Sequence, residues 1–221
     1  MALDKQTLRT RTITAIIFAA VMLLGLFTNV WAFLALFFTI MIGCTVEFVK
    51  LVFKFKPALL PLAVLYIIFP ILLLIDLGVD GTLISGGDRS NLHVNEVFTP
   101  LIPCAVIFSI WINDTMAYLV GSLIGKTPFS KISPKKTWEG TGGGAILCVV
   151  AIAIMGATLP AAQDVAVQHW VAIAVLCAVF GTLGDLLESK IKRLANVKDS
   201  GSFMPGHGGF LDRFDSLLPA S

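Results

Sequence analysis

The sequence is poor in charge and in cysteine. Only 14% of the 221 residues are Asp, Glu, Lys or Arg, whereas a soluble globular domain has about 25%, and this shortage argues against a soluble protein. The continuous apolar stretches lack the alternation of a membrane β-barrel. The cysteines lie in apolar runs without CxxC spacing, which indicates packing residues and neither a zinc site nor a disulfide framework. They are Cys44, Cys104, Cys148 and Cys177.

Hydrophobic residues, in contrast, make up 57% of the chain, with a mean hydropathy of +0.89. This composition predicts an all-α, polytopic membrane helical bundle of about six to eight transmembrane helices, formed by 1–221 as a single integral membrane domain. Its N-terminal helices would occupy 13–78, and its C-terminal half, which carries two polar stretches, about 98–221. Predicted spans lie near 13–30, 31–52, 58–78, 98–112, 141–159 and 169–187, and 113–125 is predicted to be a further short or re-entrant piece.

The distribution of positive charge predicts the orientation. If six spans alternate from a cytoplasmic N-terminus, every Lys and Arg except Arg89 falls on the cytoplasmic side. This predicts that the polar site faces the cytoplasm. We expect the protein in the inner (cytoplasmic) membrane of a bacterium. Glu47 interrupts the second apolar run, and intramembrane carboxylates usually face a bundle interior or a wet cavity. Because it comes three residues before Lys50, we expect it instead at the cytoplasmic end of its helix.

The most polar stretch runs from Ser189 to Asp215. It begins with cations that suit a phosphate-bearing partner, namely Lys190, Lys192, Arg193 and Lys198. A glycine-rich loop follows around His207, and the chain from Phe210 is then predicted to open a helix with Asp212 and Asp215 on one face. Backbone N–H groups of such a loop approach anions closely, and paired carboxylates suit Mg²⁺. The stretch therefore indicates a metal–phosphate site, or alternatively a loop that only contacts anionic lipid headgroups.

A second polar stretch lies between Trp111 and Gly144. Asp114 follows an apolar run, and so lies either at the membrane interface or inside the bundle. The spacing of Gly121 and Gly125 is typical of close helix packing. A cationic surface follows, which includes Lys135 and Lys136. From these residues alone, a plain cytoplasmic loop and a substrate groove are about equally favoured.

Together the two stretches resemble the phosphatidate cytidylyltransferase, or CDP-diacylglycerol synthase, family. Its signature reads Ser-x-apolar-Lys-Arg, then Lys-Asp, then His-Gly-Gly-apolar-x-Asp-Arg-x-Asp. The matching residues here are Ser189, Lys192, Arg193, Lys198, Asp199, His207, Gly208, Gly209, Asp212, Arg213 and Asp215. The family's Asn/Ala-Asp-Thr-x-Ala-Tyr and Ser-Pro-Lys-Lys-Ser/Thr-x-Glu-Gly segments match 113–118 and 133–140. The resemblance covers about 111–215, and the N-terminal half is similar only in hydropathy.

The resemblance implies transfer of a cytidylyl group from CTP to phosphatidic acid, which gives CDP-diacylglycerol and pyrophosphate. Its implied partners are CTP, phosphatidic acid, the bilayer and a second copy of the chain, but no nucleic acid. The implied cofactor is Mg²⁺, with or without a second, monovalent cation, on Asp185, Asp212 and Asp215. The implied catalytic residues are Asp185, Asp212, Lys192, Arg193 and Lys198. The implied substrate-binding residues are Asp114, Lys135, Lys136, Ser189, Asp199, His207, Gly208, Gly209 and Arg213.

Other classes stay open. A related CTP-dependent nucleotidyltransferase or kinase could act on another lipid phosphate or a polyprenol, because the motifs handle phosphate and metal rather than tails. An ion transporter is less favoured, since polar residues cluster at one face instead of spreading through several spans. Members of the family usually continue into a further apolar segment, whereas Ser221 comes six residues after Asp215. We therefore expect either a short member of the family or a truncated C-terminus.

Overall fold

The computed structural model describes residues 5–79, 98–204 and 208–221, and the elements in these ranges are helical. The all-α prediction is thus confirmed. The chain divides into two compact units. The first unit contains Met1–Pro100 and Ile191–Phe214, and the second contains Leu101–Lys190 and Asp215–Ser221. The segment from Ile191, predicted as part of the C-terminal half, therefore groups with the N-terminal helices.

The first unit is organised around its second helix. Its elements are α1 (Lys5–Phe27), α2 (Val30–Phe53), a short 3₁₀ turn (Pro57–Leu59), a π-helix (Val64–Ile68) continuing into α3 (Phe69–Gly78), and α7 (Leu211–Phe214). The Asn29 side chain caps α2 by accepting the Ala32 N–H at 2.9 Å. Buried residues recur along α2 at helical spacing, including Phe33, Phe37, Ile40, Cys44, Glu47, Phe48 and Leu51. One continuous face of α2 is therefore the core of this unit.

The second unit packs its helices through small residues and one tryptophan. Its elements are α4 (Leu101–Ile124), α5 (Trp138–Thr158), a 3₁₀ turn (Pro160–Ala162), α6 (Val167–Leu194, as far as Lys190) and α8 (Leu217–Ala220). Cys148, Ile152 and Trp170 are buried in its core. A Cβ at Gly144 would lie 2.7 Å from Ala117 Cβ, so α4 and α5 pack closely.

Five helices within the described ranges are long and apolar enough to cross a membrane. They are Arg9–Phe27, Val30–Phe53, Leu101–Ile124, Trp138–Thr158 and Val167–Leu194, and a shorter apolar helix covers Val64–Gly78. These segments indicate an integral membrane protein. All four cysteines are buried and unpaired with one another, as the prediction of packing residues requires.

Three predicted boundaries were wrong. The segment 113–125 is not a separate piece, because α4 runs without a break from Leu101 to Ile124; the polar residues near Asp114 resembled a helix end but line a cavity. Helix α6 continues past the predicted end at 187 to Leu194, so Ser189 and Lys192 are helical. Helix α7 ends at Phe214 after one turn, which leaves Asp215 outside it.

Candidate active site

A polar cavity of about 410 Å³ lies within the second unit. Its walls come from α4, the loop before α5, α5 itself and α6. Four predicted site residues line it, namely Asp114, Lys135, Lys136 and Asp185, together with Tyr118, Ser122, Thr137, Thr141 and Thr182. Two carboxylates and two ammonium groups thus face one cavity, and the structure favours a groove over a plain loop for this stretch.

Helix packing and capping position these groups. Asp114 projects from α4 beside the buried Asn113, whose Nδ2 donates to Asp114 Oδ1 at 3.3 Å. Lys136 lies just before α5, where Thr137 caps the helix by accepting the Gly140 N–H at 3.1 Å. Glu139 of α5 holds the start of the loop that carries Lys135 and Lys136. No role for this residue was predicted from the sequence. Glu139 accepts the Thr127 hydroxyl at 2.8 Å and the backbone N–H of Thr127 at 3.1 Å.

Asp185 is the acidic centre of this cavity. Its Oδ2 forms an ion pair with Lys136 Nζ, and both side chains keep about a quarter of their surface exposed, at 28% and 26%. Its Oδ1 accepts the Ser189 hydroxyl, one helical turn later, at 3.2 Å. Because both groups keep contact with water, Lys136 can exchange Asp185 for a phosphate, and this arrangement can therefore bind an anionic substrate together with a cation.

A second cluster, within the first unit, surrounds Asp212. Asp212 Oδ1 accepts Lys192 Nζ at 2.7 Å. Asp212 Oδ2 accepts the Gly209 N–H at 2.8 Å, the Ser200 N–H at 2.8 Å and the Ser200 hydroxyl at 2.9 Å. The Asp212 cluster, defined here as Glu47, Lys192, Ser200, Gly209 and Asp212, thus holds one carboxylate through Lys192 Nζ and two backbone N–H groups. The Ser200 hydroxyl lies within reach of both Asp212 and Glu47.

The surroundings of Asp212 lower the pKa of its carboxyl group. Burial by itself raises the pKa of this carboxyl group. The Gly209 N–H, the hydrogen bond and charge of Lys192, and the Ser200 N–H outweigh the burial and keep the pKa below its ordinary value of 3.8. Asp212 is therefore a carboxylate at neutral pH, and it fastens the signature loop to α6.

Two glycines of the signature, Gly208 and Gly209, lie too close to a carboxylate for a side chain to fit. Gly208 has a positive φ of 85°, and a Cβ there would come within 2.5 Å of Asp212 Oδ2. A Cβ at Gly209 would overlap the Glu47 carboxylate. The first position favours glycine through its backbone conformation, and the second through the close approach of α2.

Glu47 corrects one expectation. Its place near the end of α2 does not account for this acid, because Glu47 faces the interior of the unit, is 7% exposed and accepts hydrogen bonds from Ser200 and Leu211. The signal was present in the sequence, because a lone acid in an apolar run usually faces a protein interior. Its nearness to Lys50 was the misleading feature.

The remaining predicted residues are placed as follows. Exposed side chains belong to Arg193, Lys198, Asp199 and Arg213. Asp215 lies in the second unit, where its Oδ1 accepts the Ser216 N–H at 2.7 Å. His207 lies outside the described residues. Among the described residues no three acidic, histidine or cysteine side chains gather as a metal site, and metal ligation by Asp185, Asp212 and Asp215 stays a prediction.

Comparison with known proteins identifies the class of this chain. The model of the cytidylyltransferase family matches residues 54–221, so the chain belongs to that family. A segment of 132 residues is 45% identical to phosphatidate cytidylyltransferase 5, chloroplastic, of Arabidopsis thaliana, covering 60% of this chain and 32% of the relative. A segment of 116 residues is 46% identical to phosphatidate cytidylyltransferase of Bacillus subtilis, covering 52% and 41%.

A third relative, phosphatidate cytidylyltransferase of Staphylococcus epidermidis, is 44% identical over 112 residues, covering 49% of this chain and 42% of the relative. The chain thus spans less than half the length of these curated relatives. The recognised family is confirmed.

Proposed function

We propose that this protein transfers a cytidylyl group from CTP to the phosphate of phosphatidic acid, which yields CDP-diacylglycerol and pyrophosphate. The observation that carries the proposal is the polar cavity, in which Lys136 pairs with Asp185 beside Asp114. It lies among helices apolar enough to span a bilayer, as a site for a membrane-resident phosphate substrate requires. The names of the similar proteins from Arabidopsis thaliana and Bacillus subtilis supply the reaction.

Cytidylyl transfer needs no covalent intermediate with the protein. A phosphate oxygen of the lipid attacks the α-phosphorus of CTP, and the bond to pyrophosphate breaks on the opposite side. Catalysis of such a transfer consists mainly of positioning and charge neutralisation. Lys135 and Lys136 can neutralise phosphate charge from the cavity wall, and Asp185 keeps the Lys136 ammonium in place before substrate arrives.

The cavity also fits a divalent cation. Asp114 and Asp185 line the same space, and Mg²⁺ is ordinarily bound by one or two carboxylates plus substrate phosphates. Mg²⁺ bound to these two carboxylates would neutralise charge on the triphosphate and on the departing pyrophosphate. Asp212 is less available as a ligand, since Lys192 Nζ and the N–H groups of Ser200 and Gly209 already donate to its oxygens. Roles for Asp212 and Asp215 as ligands, and a second, monovalent cation, remain part of the proposal.

The other residues of the signature complete the proposal. Phosphate binding is assigned to the cations of the signature, namely Lys192, Arg193, Lys198 and Arg213. Other contacts to the substrates are assigned to Ser189, Asp199, His207, Gly208 and Gly209. The basic residues on the predicted cytoplasmic side support a site facing the cytoplasm in a bacterial inner membrane. We also propose a homodimer, which light scattering of the purified protein in detergent tests directly.

The test is incorporation of radiolabelled CTP into lipid by detergent-purified protein with phosphatidic acid and Mg²⁺. We expect label in a CDP-lipid that disappears with EDTA and falls about a hundredfold or more in Asp185→Asn. The matched control is Asp164→Asn, which makes the same change at an exposed position outside the cavity and should keep full activity.

Two results would decide against the proposal. Wild-type protein that binds CTP but labels no phosphatidic acid would indicate a different acceptor, which a phosphorylated polyprenol in the same assay would detect. Equal activity of Asp185→Asn and Asp164→Asn would remove the polar cavity from the reaction.

A further inference from the structure

Glu47 joins two distant points of the signature segment. Its Oε2 atom accepts the Ser200 hydroxyl at 2.6 Å and the Leu211 N–H at 2.9 Å. These donors precede and follow the glycine-rich turn, and α2 packs against α7, which begins at Leu211. One carboxylate oxygen on α2 therefore ties together two parts of the chain that are far from it in sequence.

Ser200 connects Glu47 to Asp212. Its hydroxyl oxygen lies 2.6 Å from Glu47 Oε2 and 2.9 Å from Asp212 Oδ2, and it can also accept the Asp212 N–H at 3.3 Å. A hydroxyl group has one proton, so it donates to one carboxylate at a time. Moving Glu47 would therefore change the position of the Ser200 hydroxyl, and with it one of the donors that hold Asp212.

The fit around Glu47 is close on both sides. A Cβ at Gly201 or at Gly209 would overlap the Glu47 carboxylate. The backbone thus wraps directly around this group, and the N–H of Gly209, which donates to Asp212 at 2.8 Å, is aimed from the same turn. A side chain of another length at position 47 would leave the Ser200 hydroxyl and the Leu211 N–H without this acceptor.

We propose that Glu47 is a positioning residue, which acts through Ser200 and Leu211 to set the geometry of Asp212. What it supplies is a hydrogen-bond acceptor at the Oε2 position, and not a negative charge. It lies outside the range 54–221 matched by the family model, so the family comparison assigns it no role. Its effect on turnover rests on the proposed cytidylyl transfer, whereas its effect on the loop does not.

If Glu47 acts as a hydrogen-bond acceptor and not through its charge, two conservative substitutions should have different effects. Glu47→Gln can place an amide oxygen at the Oε2 position and keep both hydrogen bonds without charge. Glu47→Asp keeps the charge but withdraws the carboxylate by one methylene. We therefore expect Glu47→Gln to retain kcat within about threefold, and Glu47→Asp and Glu47→Ala to lose about a hundredfold, the usual effect of an ångström-scale misplacement.

The experiment measures residue-resolved hydrogen exchange at the Leu211 amide and kcat and KM for CTP on the full chain in detergent. Exchange should accelerate about tenfold or more in Glu47→Asp and Glu47→Ala and stay near wild type in Glu47→Gln. Phe48→Leu, a cavity-forming change at the neighbouring buried position of α2, controls for general loosening of the helix. It should leave Leu211 exchange unchanged relative to the rest of α7.

If Glu47→Gln is as impaired as Glu47→Asp, an uncharged acceptor is not sufficient at this position, and the proposal is wrong. Unchanged Leu211 exchange in Glu47→Asp would also overturn it. Because the exchange measurement needs no substrate, it decides the role of Glu47 even if the wild-type protein fails to use CTP. If Glu47→Ala does not fold, the Gln and Asp variants still give the answer.

Discussion

Replacing Asp212 with Asn should destabilise the protein mainly through Lys192. The Nζ of Lys192 lies 2.7 Å from Asp212 Oδ1, and the two side chains expose only 13% and 7% of their surface. The Asn oxygen can still accept the donors of Gly209 and Ser200, but its amide group then faces an ammonium. Removing one partner of a buried ion pair costs about 3–5 kcal/mol. Because this pair keeps some contact with water, we expect about 3 kcal/mol.

The reverse substitution should cost less. Lys192→Met leaves a carboxylate that still accepts the N–H groups of Ser200 and Gly209, so we expect a loss of about 2 kcal/mol. In the double variant Lys192→Met/Asp212→Asn no unpaired charge remains. Its loss should therefore be smaller than the sum of the single losses by about 1–2 kcal/mol.

The assay is thermal unfolding in detergent with a thiol-reactive dye, since the four buried cysteines become reactive as the helices separate. A loss of 3 kcal/mol corresponds to a fall in Tm of about 6–12 °C for a chain of this size. Strictly additive losses in the double variant would show that Lys192 and Asp212 do not stabilise each other, and would refute the reasoning.

Three further predictions follow from the same geometry. Gly209→Ala should lower Tm and abolish CTP turnover, because the added Cβ overlaps the Glu47 carboxylate. The control is Gly142→Ala, whose Cβ meets nothing within 4 Å and which should be neutral or stabilising by up to about 1 kcal/mol. Equal effects of the two substitutions on Tm would contradict the overlap. Lys136→Met should raise KM for CTP about tenfold or more through loss of a charge-assisted contact, and an unchanged KM would exclude Lys136 from nucleotide binding. The pKa of Asp212 is lower in the folded than in the unfolded protein, so the stability that this carboxylate contributes is complete above the unfolded value near 3.8 and is lost as the pH falls towards the folded pKa. Asp212→Asn should lack this acid-dependent loss of stability. If the Tm of the two proteins fell in parallel with pH, the assignment would be contradicted.

Much of this protein follows from local sequence. Membrane helices were predictable because continuous apolar runs have few alternatives in a bilayer, and five of them occur near the expected positions. The polar residues of the site were recognisable from fixed spacings, such as Lys135 and Lys136 before α5. The boundaries that failed were those where polar residues continue a helix, as at Asp114 on α4 and Lys192 on α6. Hydropathy records polarity but not whether a polar side chain faces lipid, a cavity or a partner.

Tertiary structure alone decided the partners of the acidic residues. Sequence reasoning placed Asp212 on a helix face with Asp215, but the hydrogen bonds of Asp212 come from Lys192, Ser200 and Gly209. Glu47 reaches Ser200 from 153 positions away in the chain. Pairings over such distances depend on how helices pack, and periodicity carries no information about them. The sequence by itself thus determined the membrane class and the residues capable of the chemistry, whereas packing decided which carboxylate faces a cavity and which one holds a loop.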